Sequence, residues 1–187
     1  TDVIEYVEID TLGNAIDFGN LTVARHSIGT CASTTEMFGG GGNAGNDYRS
    51  VIDKIRISSL GNSIDDGDLG SPQTQVATSS NSIRGIWAGG GNPSPQVSLD
   101  DIQYRTLSSS GTTQYFGELT QKTNYAAGAS TSTRAIIAGG QNPSGKFNTI
   151  TFITIATAGN AQDFGDLALN RSALAGCSDS HGGLGGF

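Results

Sequence analysis

The sequence predicts an all-β protein built from four copies of one small sheet. Two landmarks recur in the same order roughly every 46 to 50 residues of the 187-residue chain. The first is an apolar run ending in two glycines, at Gly39 and Gly40, Gly89 and Gly90, Gly139 and Gly140, and Gly185 and Gly186. The second is a short segment that ends in glycine and is followed, after one intervening residue, by leucine, at Asp17–Gly19, Asp65–Gly67, Tyr115–Gly117 and Asp163–Gly165. Two landmarks in constant order indicate one supersecondary unit copied four times.

Composition supports this class and excludes others. Glycine makes up 28 of the 187 residues and only 14% of residues are charged, so the chain is rich in turns and poor in helix formers. The net charge is −7 and no basic cluster occurs, which disfavours binding to a nucleic-acid backbone. No apolar stretch approaches 18 residues, so we expect no membrane insertion. The length fits a single domain over residues 1–187.

Four strands can be marked in the best-formed copy, Arg25 to Leu69, from alternation and turn residues. They are His26–Ser33, Thr35–Gly40, Val51–Ser58 and Ile64–Leu69, with a polar loop, Asn43–Arg49, between the second and third. Gly61 and Asn62 stand at the turn between the last two strands, as do Gly13 with Asn14 and Gly159 with Asn160. Glycine and asparagine tolerate the positive φ of tight hairpin turns, so these pairs support the strand boundaries.

The third strand carries an apolar-x-x-apolar-x-apolar spacing in each copy. Its positions are Ile4, Val7, Ile9; Ile52, Ile55, Ile57; Leu99, Ile102, Tyr104; and Ile150, Ile153, Ile155. Side chains alternate between the two faces of a strand, so the last two residues of a set lie on one face and the first on the other. Both faces are therefore partly apolar, which indicates sheets flanked by other sheets.

The loops after the double glycines vary most between copies and contain three of the four prolines. Variable loops on a repeated scaffold are the segments best placed for binding. The predicted interaction residues are Asn43, Asp47, Tyr48, Asn92, Pro93, Pro95, Asn142, Pro143 and Lys146.

The order of these features resembles the kelch repeat. Arg25 and Arg171 begin copies, and the double glycines match the kelch diglycine. Tyr6, Tyr104 and Phe152 stand near the kelch tyrosine, and Phe18, Phe116 and Phe164 stand where kelch has tryptophan. The copies depart from the pattern at Asp66, which replaces the aromatic residue, and at Lys122 and Pro72 or Gln73, which replace the arginine. The resemblance implies a β-propeller of four-stranded blades.

A more particular likeness is to kelch-like virion structural proteins of tailed phages of marine cyanobacteria. It rests on Thr157–Arg171, which reads Thr-Ala-Gly-Asn-Ala-Gln-Asp-Phe-Gly-Asp-Leu-Ala-Leu-Asn-Arg. The likeness implies a protein on the exterior of a phage particle, in a fibre, tail or capsid-attached appendage. Its implied partners are other virion proteins or the host surface, including glycans, and it is compatible with homo-oligomers.

The phase of the copies predicts how the chain ends meet. The chain opens with a third and fourth strand, Val3–Leu21, and closes with a first and second strand, Arg171–Phe187. The expected repeats are about 1–24 plus 171–187, 25–70, 71–120 and 121–170. Joining the two terminal pairs in one blade closes a four-bladed ring without an open sheet edge. The alternative is that these copies form part of a larger ring.

Catalytic and metal-binding patterns are scarce. His26 and His181 are the only histidines, which excludes a multi-histidine zinc site, and we interpret both as surface or strand-end residues. Cys31 and Cys177 occupy equivalent positions and are expected to be buried free thiols. The recurring aspartates are interpreted as turn caps rather than calcium ligands, and Trp87 as a core residue. We therefore expect no cofactor and no metal.

The sequence thus favours a non-enzymatic structural or interaction module. A carbohydrate-binding, lectin-like propeller is the alternative, and a hydrolase or oxidase with a degenerate site is the third hypothesis. The scarcity of histidine argues against the third, because a Ser-His-Asp triad would have to use one of only two histidines.

Overall fold

A computed structural model describes residues 1–45, 47–93 and 96–178. Those residues form 20 β-strands and no helix. In chain order the strands are β1 Val3–Tyr6, β2 Ile16–Asn20, β3 Gly29–Ala32, β4 Glu36–Gly40, β5 Asn43–Ala44, β6 Asp47–Tyr48, β7 Val51–Arg56, β8 Ile64–Asp68, β9 Ala77–Ser80, β10 Arg84–Ala88, β11 Gly91–Pro93, β12 Gln96–Ser98, β13 Asp101–Thr106, β14 Gln114–Glu118, β15 Ala127–Ser130, β16 Arg134–Ala138, β17 Gln141–Asn142, β18 Gly145–Lys146, β19 Thr149–Thr154 and β20 Gln162–Asp166. The predicted all-β class is confirmed.

Twelve of these strands build three four-stranded antiparallel sheets in which neighbours follow chain order. The first sheet is β3-β4-β7-β8, the second β9-β10-β13-β14 and the third β15-β16-β19-β20. A small hairpin is inserted between the second and third strand of each sheet: β5–β6, β11–β12 and β17–β18. The remaining pair, β1–β2, is the N-terminal hairpin. Its two strands pair in the same register as the third and fourth strands of the first sheet, β7 and β8. The strands predicted for residues 26–69 are all present, each shorter by up to four residues at its ends.

The three sheets pack face to face in chain order. The core between the first and second sheets consists of Cys31, Phe38, Ile52, Leu69, Val76, Trp87 and Leu107. The core between the second and third contains Ala77, Ile86, Ala88, Ile102, Phe116, Leu119, Ala135, Ile137, Ile153 and Ile155. The second sheet is therefore apolar on both faces, as the strand pattern indicated. Trp87 is fully buried, as expected of a core residue.

The last two strands of every copy are joined with a β-bulge at a glycine. Gly19, Gly67, Gly117 and Gly165 have φ between 128° and 159°, where glycine is strongly favoured. In three copies the aspartate two residues earlier caps the turn, because its Oδ1 accepts the glycine N–H at 3.0–3.1 Å. This agrees with the turn-capping role predicted for Asp17, Asp65 and Asp163, whereas Asp66, for which the same role was predicted, forms ion pairs with Lys54 and Arg105 instead.

One predicted register is wrong. Ile102 pairs with Gly117, just as Ile4 pairs with Gly19 and Ile150 with Gly165. The set in the third strand of that copy is therefore Ile102, Arg105 and Leu107 rather than Leu99, Ile102 and Tyr104. A charged residue at a core position hid the correct alignment.

The diglycine of the first copy is also displaced from its predicted place. Gly41 and Gly42, with φ of 71° and 106°, adopt the left-handed pair seen at Gly89 with Gly90 and at Gly139 with Gly140. Gly39 and Gly40 lie instead inside β4. A Cβ added at Gly40 would come within 2.7 Å of Trp87 Nε1, so this glycine leaves room for the buried indole. Gly185 and Gly186 lie outside the described residues.

The two ends of the chain occupy opposite ends of the array of sheets. β1 and β2 pair with each other and pack against the first sheet, where the Gly61 N–H donates to the Phe18 carbonyl at 2.8 Å. Leu174–Ser178 runs beside β15, so close that a Cβ at Gly176 would meet the Gly128 carbonyl at 2.6 Å. Residues 179–187, which complete the predicted second strand of the terminal copy, lie outside the described part of the chain.

Candidate interaction surface

The three inserted hairpins project from the same edge of the sheets. Each follows the left-handed glycine pair that ends the second strand. Each is also bridged to the segment that leads into the first strand of its sheet: His26 to Asn43, Thr74 to Gly91 and Asn124 to Gln141. These bridges fix the hairpins at equivalent places. We call the surface formed by residues 43–45, 47–48, 91–93, 96–98 and 141–146 the hairpin rim, and it contains every predicted interaction residue that the structure describes.

The first hairpin is anchored at its base and polar at its tip. The Asn43 N–H donates to the His26 carbonyl at 2.8 Å and the His26 N–H donates to the Asn43 carbonyl at 3.0 Å. Asp47 and Arg49 form an ion pair at 2.8 Å, but the Asp47 side chain is 64% exposed and that of Arg49 is 38% exposed, so the pair adds little stability. Tyr48 pairs with Asn43 at the base and is half-buried. The tip thus offers charges that a partner can engage without disturbing the base.

The second hairpin is the longest of the three. Its strands pair Asn92 with Val97 and Pro93 with Gln96, and β11 lies next to β6 of the first hairpin. The two hairpins therefore form a continuous stretch of the rim. Pro95 lies outside the described residues.

The third hairpin carries the positive charge of the rim. Asn142 Oδ1 accepts the Ser144 N–H at 2.9 Å, and its Nδ2 donates to the Lys122 carbonyl at 3.3 Å. Pro143 at the tip is exposed, as is Lys146, which pairs with Gln141 at the base. The amide of Asn142 thus shapes the hairpin, while Pro143, Lys146 and the nearby Lys122 face outward.

Sequence reasoning missed a row of strained residues at the foot of the rim. Ser27, Gln75, Tyr125 and Ala173 stand at equivalent positions and have φ of 57°, 60°, 55° and 57°, values uncommon for residues other than glycine. Successive members are linked, because the N–H groups of Gln75, Tyr125 and Ala173 donate to the carbonyls of Ser27, Gln75 and Tyr125 at 3.2, 3.3 and 2.9 Å. Gln75 Nε2 also donates to the Tyr125 hydroxyl at 2.7 Å. No residue type marks these positions, so only the repeat spacing could have indicated them.

A cleft of about 520 Å³ lies among the first strands of the sheets. It is lined by residues of β3, β9 and β15 together with Leu174–Ser178. Serine hydroxyls join these strands: Ser80 Oγ donates to the Ala32 carbonyl at 2.8 Å and Ser130 Oγ to the Ser80 carbonyl at 2.7 Å. The strands around the cleft are thus linked by side chains rather than by a backbone ladder.

The two cysteines border this cleft, and both are free. Cys31 is buried against the second sheet, and this burial raises the pKa of its thiol to about 12, with the charge of Arg105 acting in the opposite direction. Cys177 is exposed, which corrects the expectation that both thiols are buried.

A buried cluster of charges occupies the position where other copies have two aromatic rings. Tyr6 with Phe18, Tyr104 with Phe116 and Phe152 with Phe164 each form an edge-to-face pair with centroids 5.7–6.1 Å apart. In the first sheet the same two positions hold Lys54 and Asp66, whose Nζ and Oδ1 atoms lie 2.7 Å apart. Arg105 of the second sheet approaches Asp66 Oδ2, also at 2.7 Å. Asp66 departs from the aromatic residue of the repeat, and its charge is compensated by Lys54 and Arg105, which also replace the residues that other copies have at their positions.

The histidines and acidic residues do not converge on a reactive centre in the part of the chain that the structure describes. His26 is exposed at the base of the first hairpin, and His181 lies outside that part. No group of three or more histidine, cysteine, aspartate or glutamate residues that could hold a metal ion occurs within the described ranges. Within the same ranges, no helix has the length and apolar character needed to cross a membrane.

No protein family matches the chain, and no curated protein matches it significantly.

Proposed function

We propose that the chain is a non-enzymatic interaction module, a kelch-like four-bladed β-propeller on the exterior of a phage particle that binds through the hairpin rim. The observation that carries the proposal is the contrast between a repeated scaffold and a variable rim. The three sheets have the same strand order and nearly the same register. The three hairpins on their common edge differ in length and residue type. Binding loops on a rigid scaffold are organised in this way.

The chemistry of the rim indicates a macromolecular partner rather than a small substrate. Exposed charged and rigid residues, such as Asp47, Pro143 and Lys146, are spread over separate hairpins instead of converging on one pocket. Spread contacts of this kind suit a protein surface, where polar groups surround a contact region. The virion location rests on the likeness of Thr157–Arg171 to phage structural proteins. Other virion proteins and the host surface are accordingly the proposed partners.

Lysine-directed cross-linking of purified phage particles tests this proposal. The chain has three lysines: Lys122 and Lys146 are exposed at or beside the rim, whereas Lys54 is held by Asp66 between the sheets. We expect mass spectrometry to find cross-links from Lys122 and Lys146 to other virion proteins. If the chain is absent from purified particles, the virion location is contradicted. Cross-links confined to Lys54 would contradict binding through the hairpin rim.

Glycan binding is the second candidate, and the position of Tyr125 favours it. This residue is 38% exposed at the foot of the rim, and its hydroxyl accepts a hydrogen bond from Gln75. An exposed aromatic face beside amide groups is suited to stacking against a sugar. Binding to a glycan array that is lost in Tyr125→Ala and retained in Tyr115→Ala, a change at an exposed tyrosine outside the rim, would establish this alternative. If no glycan on the array is bound, glycan binding is contradicted and binding to a protein partner remains the proposed function.

A further inference from the structure

Two faces at the ends of the array lack the cover that equivalent residues have elsewhere. On the third sheet, Phe164 is 53% exposed, whereas Phe18 and Phe116 at the same repeat position are 8% and 2% exposed. On the N-terminal hairpin, Val7 is 56% exposed, whereas Ile153 at its repeat position is 3% exposed. Each end therefore exposes an apolar side chain that the array buries wherever a neighbouring sheet is present.

The same backbone contact joins every pair of neighbours in the array. The N–H groups of Gly61, Gly111 and Gly159 donate to the carbonyls of Phe18, Asp66 and Phe116 at 2.8, 2.9 and 2.8 Å. The repeat positions of these donors and acceptors each have one further member: Gly13 among the glycine donors and Phe164 among the carbonyl acceptors. Nothing lies within 4 Å of the place where a Cβ would stand on Gly165, whereas a Cβ on Gly19, Gly67 or Gly117 would overlap the facing turn. The turn at Gly165 on the third sheet is therefore uncovered where the three equivalent turns are covered, and it can accept a fourth contact of the same kind.

The ion pair between sheets fixes the side-chain register of that contact. Asp66 occupies the position of Phe164, and Arg105 occupies the position of Val7. Their 2.7 Å ion pair shows that these two positions face each other across neighbouring sheets. Phe164 and Val7 are thus the pair that a fourth interface would bring together.

Charge complementarity points to the same join. Arg25, just before the first sheet, forms a fully buried ion pair at 2.6 Å with Asp53 on β7. The equivalents of these two residues are Gln73 with Gln103 in the second copy and Thr123 with Thr151 in the third. In the terminal copy they are Arg171 and Glu5, at opposite ends of the chain. An arginine recurs only where an acid recurs at the matching position.

We propose that the N-terminal hairpin of the chain docks on the open face of its own third sheet, with Phe164 against Val7 and Arg171 paired with Glu5. This inference rests on the closed propeller of the proposed function and identifies the contacts that would close it. The chain's own hairpin is favoured over that of a second copy because Ile28–Ala32 of β3 and Leu174–Ser178 already border one cleft. A join within one chain also has the advantage of a high effective concentration.

Disulfide trapping tests the join. In a full-length Cys31→Ser, Cys177→Ser background, Val7→Cys with Phe164→Cys should form an intramolecular disulfide under mild oxidation, visible as a faster-migrating monomer on non-reducing gels. Phe116→Cys with Ile153→Cys is the positive control, because both residues lie in one core. Val7→Cys with Asp163→Cys is the negative control, because Asp163 points to the other face of its strand. Covalent dimers would assign the face to a second copy, and no disulfide beside a working positive control would overturn the join altogether.

A charge exchange provides a second readout that does not depend on cysteine chemistry. Arg171→Glu and Glu5→Arg should each lower Tm by about 5 °C, and the double variant should recover most of the loss, since the pair is restored with its charges reversed. Independent effects that simply add would contradict the proposed pair. Neither experiment depends on binding through the hairpin rim. Cross-links from Lys122 and Lys146 can therefore support the proposed function even if the ring does not close, and ring closure can be established even if no cross-links form.

Discussion

At the scale of single residues, the buried charge cluster of Lys54, Asp66 and Arg105 shows how one repeat replaces an aromatic pair. Asp66 receives charge from two sides and a hydrogen bond from Ser110 Oγ at 2.7 Å. Buried ions are tolerated when their partners satisfy them, but they leave a large penalty when one partner is removed. The cluster is therefore a unit, and its members should be substituted together.

This unit predicts a strongly non-additive mutant cycle. Asp66→Ala should destabilise the protein by about 3–5 kcal/mol, because it leaves Arg105 buried without its partner. The triple variant Lys54→Tyr, Asp66→Phe, Arg105→Ile should be close to wild type, since it installs the residues that other copies use at these positions. Urea unfolding of the single and triple variants provides the comparison. A triple variant as unstable as Asp66→Ala would show that the aromatic pair does not fit the first sheet.

The same carboxyl predicts a dependence of stability on pH. Burial by itself raises the pKa of Asp66, but hydrogen bonds from Lys54 and Ser110 and the charges of Arg105 and Lys54 outweigh it, so the pKa lies below its ordinary value of 3.8. A depressed pKa in the folded state means that this carboxylate stabilises the fold above the ordinary value. The contribution disappears as pH falls through the folded-state pKa. Thermal unfolding between pH 6 and pH 2 should show a steeper acid loss in wild type than in Asp66→Asn, and equal slopes would contradict this assignment.

The two thiols should differ sharply in reactivity. Cys31 is buried with a raised pKa, whereas Cys177 is exposed, and only the thiolate reacts efficiently. We expect iodoacetamide at pH 8 to label Cys177 in the native protein and to label Cys31 only after unfolding. Mass spectrometry of the labelled peptides measures both sites in one sample. Rapid native labelling of Cys31 would mean that the core between the first and second sheets opens readily.

At the scale of elements, the β-bulge glycines hold neighbouring sheets together. A Cβ on Gly117 would collide with the backbone of Gly159 in the next sheet, and its φ of 159° disfavours other residues. Gly117→Ala should therefore cost about 2 kcal/mol or more. Gly159→Ala is the matched control, because nothing lies within 4 Å of its added Cβ and its φ lies outside the left-handed range that favours glycine. Denaturant midpoints of the two variants give the difference, and equal midpoints would mean that the sheets separate easily at this contact.

The elements also show what periodicity can and cannot predict. The strands of residues 26–69 were predictable because apolar alternation and glycine-asparagine turns mark them. Ile102 was assigned to the wrong position because Arg105 stands where the pattern requires an apolar residue, and its partner Asp66 is 39 residues away in sequence. The first diglycine was misplaced because four consecutive glycines, Gly39 to Gly42, offer several registers. Only packing against Trp87 distinguishes them.

At the scale of the whole molecule, the array consists of similar sheets that contact mainly their neighbours. The candidate surface was predictable as a set of variable loops, but its arrangement was not. The bridges from His26, Thr74 and Asn124 are backbone contacts that no residue type encodes. The same applies to the left-handed row of Ser27, Gln75, Tyr125 and Ala173, where ordinary residues adopt a conformation usually reserved for glycine.

The insertion point of the hairpins has a practical consequence. Because each hairpin begins after a left-handed glycine pair and ends before the third strand, its tip can change without altering any strand of the supporting sheets. Foreign peptides grafted between Asn43 and Tyr48, or between Gln141 and Lys146, should therefore be displayed side by side on an otherwise intact protein. Such a chain could serve as a small multivalent display scaffold whose separate tips are engineered one at a time.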